Sequence, residues 1–126
     1  GLFEEIVVED CAIVKSRATR KIDQTRSDEA AHAIQIENID GAVMRNLTFR
    51  NITVEGCLRG IRVDLDLRST QQPKYPGHTF AVGSIDGVIF SNIRGTCSAS
   101  TDPRLNTASG HQIANLRMEN VDFHIG

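Results

Sequence analysis

Five polar side chains fall where they could share one flat face of sheet: Gln35, Glu37, Arg62, Asp64 and Asp66. Gln35 and Glu37 alternate with Ile34 and Ile36. Arg62, Asp64 and Asp66 alternate with Ile61, Val63 and Leu65. Such alternation marks strands buried on one face. If the two segments are neighbouring strands, Gln35 stands beside Arg62 and Glu37 beside Asp64, about 4.8 Å apart at the backbone. Carboxylates and an arginine on an open sheet suit glycan binding and cleavage. Two carboxylates about 5 Å apart suit a retaining glycosidase, and roughly 6.5 to 9.5 Å an inverting one. The competing reading is an ordinary solvated face on which Arg62 neutralises Asp64.

The elements that must position these residues are legible in residues 46–66. Leu47 and Phe49 alternate with Thr48 and Arg50. After Asn51 the alternation restarts at Ile52 and Val54, one residue out of phase. In a continuous strand that slip would send the apolar set to the opposite face. Both sets point inward only if the chain turns at Asn51, and Asn tolerates the left-handed conformation a corner requires. Gly56 turns the chain again before the run from Ile61. Strand, Asn corner, strand, Gly turn, strand is one coil of a parallel β-solenoid.

The unit recurs as Ile6, Val8, Asp10, Cys11, Ile13, as Val88, Phe90, Asn92, Ile93, Gly95, and as Leu116, Met118, Asn120, Val121, Phe123. An internal repeat takes precedence over local assignments. Asp10, Asn51, Asn92 and Asn120 are expected to stack as an internal ladder, with Cys11 inward as a small apolar residue. A helix is excluded by the period of two and by the Gly and Asn punctuation. An immunoglobulin-like sandwich would need hairpin signals, whereas the connections here are single-residue corners or long loops. The expectation is one all-β domain over residues 1–126, of about four coils, with long loops near 15–32, 67–83 and 97–112.

Composition narrows the function classes. The formal charge is −2 and Trp is absent, so nothing draws the chain to nucleic acid or to an anionic membrane. No apolar run is long enough to span a bilayer, no signal peptide is visible, and residue 1 is Gly. Solenoids carry capping units at open ends. None is visible here, so a fragment of a longer solenoid is expected. Three cysteines, Cys11, Cys57 and Cys97, give neither a disulfide framework nor a zinc pattern. A Cys57–Cys97 bridge is compatible with the sequence but not specified by it. No metal or cofactor is expected, since His32, His78 and His111 fall in expected loops without ligand or triad spacing.

The first loop mixes Lys15, Arg17, Arg20, Lys21 and Arg26 with Asp23, Asp28 and Glu29, which reads as solvated surface. The second, broken by Pro73, Pro76 and Gly77, offers Lys74, Tyr75 and His78 as contacts. The third carries Asp102, Pro103 and His111. Asn46-Leu-Thr and Asn51-Ile-Thr match the glycosylation pattern, with Asn51 expected to be inaccessible in the ladder.

The segments FEEIVVEDCAIVKS, AIQIENIDGAVMRNLTFRNITVEGCLRGIRVDLD, GSIDGVIFSNIRGT and ANLRMENVDF follow one another in an order that resembles the C-terminal part of the polygalacturonases, glycoside hydrolase family 28 of the pectin-lyase-like superfamily. The resemblance runs from about residue 3 to the end. It implies a right-handed, single-stranded parallel β-helix and metal-independent, inverting hydrolysis of galacturonosyl bonds in pectin. In that family one Asp is the general acid, further Asp residues activate water, and an Arg-x-Lys pair holds the uronate carboxylate.

The departures are informative. Nothing in this chain matches the family's acidic catalytic motifs or its His-Gly motif, so no catalytic residue is assigned within residues 1–126. The Arg-x-Lys position reads Gln35-Ile36-Glu37, which removes both cations and adds an anion; Arg62 could supply one cation instead. The family's late active-site Tyr has no clear match, since Tyr75 lies in another loop. The resemblance thus implies a cleft wall of Gln35, Glu37, Arg62, Asp64 and Asp66 facing a polysaccharide, with a preference for neutral or differently substituted sugars. It also implies a secreted or periplasmic location; a monomer is expected. The alternatives are a non-catalytic glycan-binding or structural β-helix, and a polysaccharide lyase. A lyase would need calcium-binding acids and an Arg or Lys base.

Overall fold

The computed structural model describes residues 1–14, 30–67, 77 and 81–126. Six strands carry the described chain: β1 (Leu2–Ile13), β2 (Ala30–Asn38), β3 (Val43–Leu65), β4 (Ser84–Ser100), β5 (Arg104–Thr107) and β6 (Ala114–Ile125). Every pairing between them is parallel. The path runs β1-β3-β4-β6, with β2 and β5 flanking the second half of β3. Parallel neighbours need a crossover rather than a hairpin, so each strand returns onto its predecessor as the chain winds. This is the parallel β-helix expected from the repeat, and it leaves no place for an antiparallel sandwich.

The repeat sets the register. Val8, Phe49, Phe90 and Met118 align across four coils, as do Cys11, Ile52, Ile93 and Val121. Val88, Phe90, Ile93 and Cys97 are fully buried in β4, which like β3 has a neighbouring coil on each side. Phe49 and Phe90 stack with ring centroids 5.3 Å apart. Cys11, by contrast, is exposed. Cys11 holds the register position of the buried Ile52, but its own expected burial fails: among the described residues β1 pairs with β3 alone.

The Asn corners form as expected, with φ 57 at Asp10, 54 at Asn51, 53 at Asn92 and 52 at Asn120. Their amides chain together: Asn51 Nδ2 donates to Asp10 at 3.1 Å, Asn92 to Asn51 at 2.8 Å and Asn120 to Asn92 at 3.0 Å. The ladder is not internal, however. Asp10, Asn51 and Asn120 are exposed and Asn92 is half-buried. Around the corner two consecutive residues, Arg50 and Asn51, face out while Leu47 and Ile52 are buried. The phase slip is absorbed by that outward pair rather than by a buried amide. Asn51 is therefore not inaccessible, although its amide nitrogen is engaged.

A second left-handed corner, unseen in the sequence pattern, precedes the first by five residues in every coil: Glu5, Asn46, Gly87 and Asn115. Asn46 Nδ2 donates to Glu5 at 2.6 Å. Gly87 has no side chain to continue this ladder, and a Cβ there would lie 2.8 Å from Asn46 Oδ1. Asn115 turns instead to Asp86, at 2.7 Å.

Strands also extend into expected loops. Ala30–Asn38 takes up the end of the first, and Ser84–Ser100 and Arg104–Thr107 take up much of the third. The basic residues of the first loop, and Lys74, Tyr75 and His78 of the second, lie outside the described residues.

Candidate glycan-binding face

The polar face is built on three neighbouring strands: β2, the last part of β3, and β5. Ile34, Ile36, Ile61, Val63 and Leu65 fill the core beneath it and so fix which side chains face outward. The register joins Gln35 to Arg62 and Glu37 to Asp64, as the alternation predicted. On the other side Arg104 joins Arg62 and Asn106 joins Asp64. Two rows therefore cross the coils, Gln35–Arg62–Arg104 and Glu37–Asp64–Asn106. Asp66 follows, with its backbone N–H donating to the Asn38 carbonyl and its carboxylate accepting from the Leu67 N–H at 2.7 Å.

Asn38 holds the end of the face in place. It is buried, donates to the carbonyls of Ala42 and Ser84, and accepts from the Ala42 N–H. That clip ties the turn after β2 to the start of β4, so the face is anchored to the coil on either side.

Chemically, the two carboxylates of the middle row differ. Asp64 is buried, and both its oxygens are occupied, one by Arg62 Nε at 2.8 Å and the other by Asn106 Nδ2 at 2.7 Å. A carboxylate held this way is a poor general base or nucleophile, because reaction would cost it both charge-assisted bonds. Glu37 is exposed and makes no hydrogen bond or ion pair among the described residues. The pair therefore suits orientation of a ligand better than acid–base catalysis. Arg62 neutralises Asp64, as the bland reading of this face held, but Asp64 is not solvated.

Three cationic side chains surround this pair. Arg104 is exposed, Arg59 is half-buried, and neither forms an ion pair among the described residues. Arg62 bonds Asp64 through Nε, and among the described residues its terminal nitrogens have no further partner. His32 lies on β2 beside Arg59 rather than in a loop. Its two ring nitrogens are shielded from solvent and have no hydrogen-bond partner among the described residues. Shielding lowers its pKa from 6.5, Arg62 and Arg59 lower it further, Asp64 opposes them, and Arg104 adds a smaller lowering effect. His32 is thus held neutral beside the arginines.

The register places Gln35, Glu37, Arg62 and Asp64 side by side with Asp66 following, and adds Arg59, Arg104 and Asn106, which the sequence pattern did not indicate. Arg104 to Asn106 sit just past Pro103 in a four-residue strand, too short to show a period. Arg59 lies where the register between β3 and β4 shifts, so its position was not countable from the repeat. Among the described residues no group of three His, Cys, Asp or Glu side chains could hold a metal ion.

The family model described as Glycosyl hydrolases family 28 matches residues 4–126. The chain belongs to that family. No curated protein and no solved structure matches it. Family 28 membership makes the chain part of the polygalacturonase family of glycoside hydrolases, and a carbohydrate is the class of substrate that membership implies. It agrees with the parallel β-helix formed by the described strands.

Proposed function

We propose that this chain is the C-terminal part of a polygalacturonase-like hydrolase acting on pectin or a related plant polysaccharide, with the catalytic acids upstream of residue 1. In this reading it is a secreted or periplasmic protein. Gln35, Glu37, Arg62, Asp64 and Asp66 form part of the cleft wall, and Arg104 and Asn106 extend it. The supporting observation is the family match over residues 4–126, taken with the aligned polar rows on the coil face.

Within the wall, Asp64 is a positioning residue. It fixes Arg62 and Asn106 so that their remaining donors point from a rigid sheet, which lowers the ordering cost of binding. Glu37 occupies the position where the family pattern has a cation, beside the charge-neutral Arg62–Asp64 pair. A uronate carboxylate placed over Glu37 would meet repulsion. Neutral or esterified sugars are therefore preferred there.

The test is an assay of the intact parent chain on pectic and neutral plant polysaccharides, following reducing ends and ultraviolet absorbance together. New reducing ends without absorbance support a hydrolase. Absorbance would instead identify a lyase, which breaks the bond by elimination. Binding without either signal would leave a β-helix that holds glycans without cutting them.

A further inference from the structure

We propose that Cys57 and Cys97 are the site of a cross-coil disulfide, closed during folding by exchange with a small-molecule disulfide of the glutathione class. The two residues are register partners on β3 and β4, the neighbouring coils at the centre of the stack. Their sulfurs lie 3.4 Å apart, already in contact. Partners on adjacent strands stand about 4.8 Å apart, which falls within the 4.4–6.8 Å range of Cα separations that a disulfide spans. The register shifts on both sides of Cys57, between Val54 and Cys57 and between Cys57 and Arg59. This irregular stretch can adjust to bring the sulfurs to bonding distance without moving the regular ladder.

Among the described residues the only other contact of these sulfurs is weak. Cys57 Sγ lies 3.5 Å from the Thr96 carbonyl, a long contact. Both side chains are buried, at 1% and 0% exposure. The third cysteine, Cys11, is exposed and pairs across the strands with Ile52, so it has no thiol partner among the described residues.

Burial also dictates when the bond forms. In the folded chain, shielding and the neighbouring Cys57 thiol push the Cys97 pKa up to about 12. The thiolate that exchange requires is then scarce, and no oxidant reaches it. Before β4 docks on β3 both sulfurs are open to solvent. One thiolate attacks the oxidant's S–S bond, giving a mixed disulfide and releasing one small thiol. The second cysteine displaces the other half. Two protein thiols and one small disulfide become one protein disulfide and two small thiols, which carry the two protons.

The experiment is to reduce and unfold the whole chain, refold it in a buffer of reduced and oxidised glutathione, and map tryptic peptides without reduction. The expected product is residues 51–59 joined to residues 95–104, two hydrogens lighter than the separate peptides, with Cys11 alkylated or glutathionylated. The oxidised protein should melt about 5 °C or more above its reduced form, the difference vanishing with reductant. Already folded, reduced protein given the same buffer should acquire the bond far more slowly. Free thiols or glutathione adducts at both Cys57 and Cys97 after refolding would overturn the proposal, as would crosslinks between chains. If refolding yields no soluble protein, the same mapping is done on native protein in oxidised glutathione at urea just below its unfolding midpoint. A Cys57–Cys97 peptide there supports the site, and its absence overturns it.

Discussion

The corner at Asn51 and the face at Asp64 belong to the same strand, β3, yet they treat polar groups in opposite ways. At the corner each coil repeats nearly the same residue, and every amide is answered by the coil beside it. On the face the neighbours differ at each step: Gln35, Arg62 and Arg104 in one row, Glu37, Asp64 and Asn106 in the other. The middle of the face closes on itself through Arg62, Asp64 and Asn106, while its edges at Glu37 and Arg104 have no partner among the described residues. Repetition here marks what holds the coils together. The break in repetition marks where the molecule can hold something else.

That contrast can be broken by mutation. The largest loss of stability is expected from Asp64→Ala, which strands the Arg62 and Asn106 donors beside a buried site. About 2–4 kcal/mol should disappear from urea unfolding. If it does not, the centre of the face is not closed as described. Asn51→Ala should cost about 1–3 kcal/mol, because it removes two ladder bonds and forces Ala into the left-handed region. Asn51→Gly, which keeps that backbone conformation at no steric cost, should lose less. Equal losses for the two variants would mean that the amides, not the backbone, carry the corner.

A smaller effect concerns pH. His32 has its pKa lowered in the fold, so the unfolded chain takes up a proton more readily. Its contribution is fully favourable above the unfolded pKa of about 6.5 and is lost as pH falls through that value toward the folded pKa. Urea midpoints of the native protein should therefore fall between pH 7 and 5, and His32→Gln should flatten that part of the profile. The smallest effect on stability belongs to the edge. Glu37→Gln and Arg104→Gln should leave the urea midpoint unchanged while altering retention on immobilised pectin by several-fold. An unfolding change without a retention change would reverse the roles assigned to centre and edge.

The parts legible in the sequence were those that repeat. Asp10, Asn51, Asn92 and Asn120 announced the winding through their shared phase slip, and with it the pairing of Gln35 with Arg62. The outward placement of the ladder was not legible, because a one-residue slip is compatible with either a buried corner residue or two consecutive outward ones. The corner at Asn46 was hidden because Gly87 and Glu5 stand in its place on other coils and share no side-chain type with it. Asp64 read as a solvated charge because alternation assigns a face but not what lies over it. Its enclosure comes from Arg62 on its own strand and Asn106 on the next coil, 42 residues away in the chain.

One dimension of the winding carries a practical consequence. The ladder advances by 41 residues from Asp10 to Asn51 and again to Asn92, but by only 28 to Asn120. The stack keeps its register through the corners and does not measure how much chain passes between them. The described excursion between Asn92 and Asn120 is thus cargo on a fixed spool, and the spool needs only that the next corner arrives. Gly110, in the short excursion before β6, has φ 78 and open space around it. A peptide inserted there would ride outside the coils, making this turn the natural port for grafting a reporter or a new binding loop onto the spool.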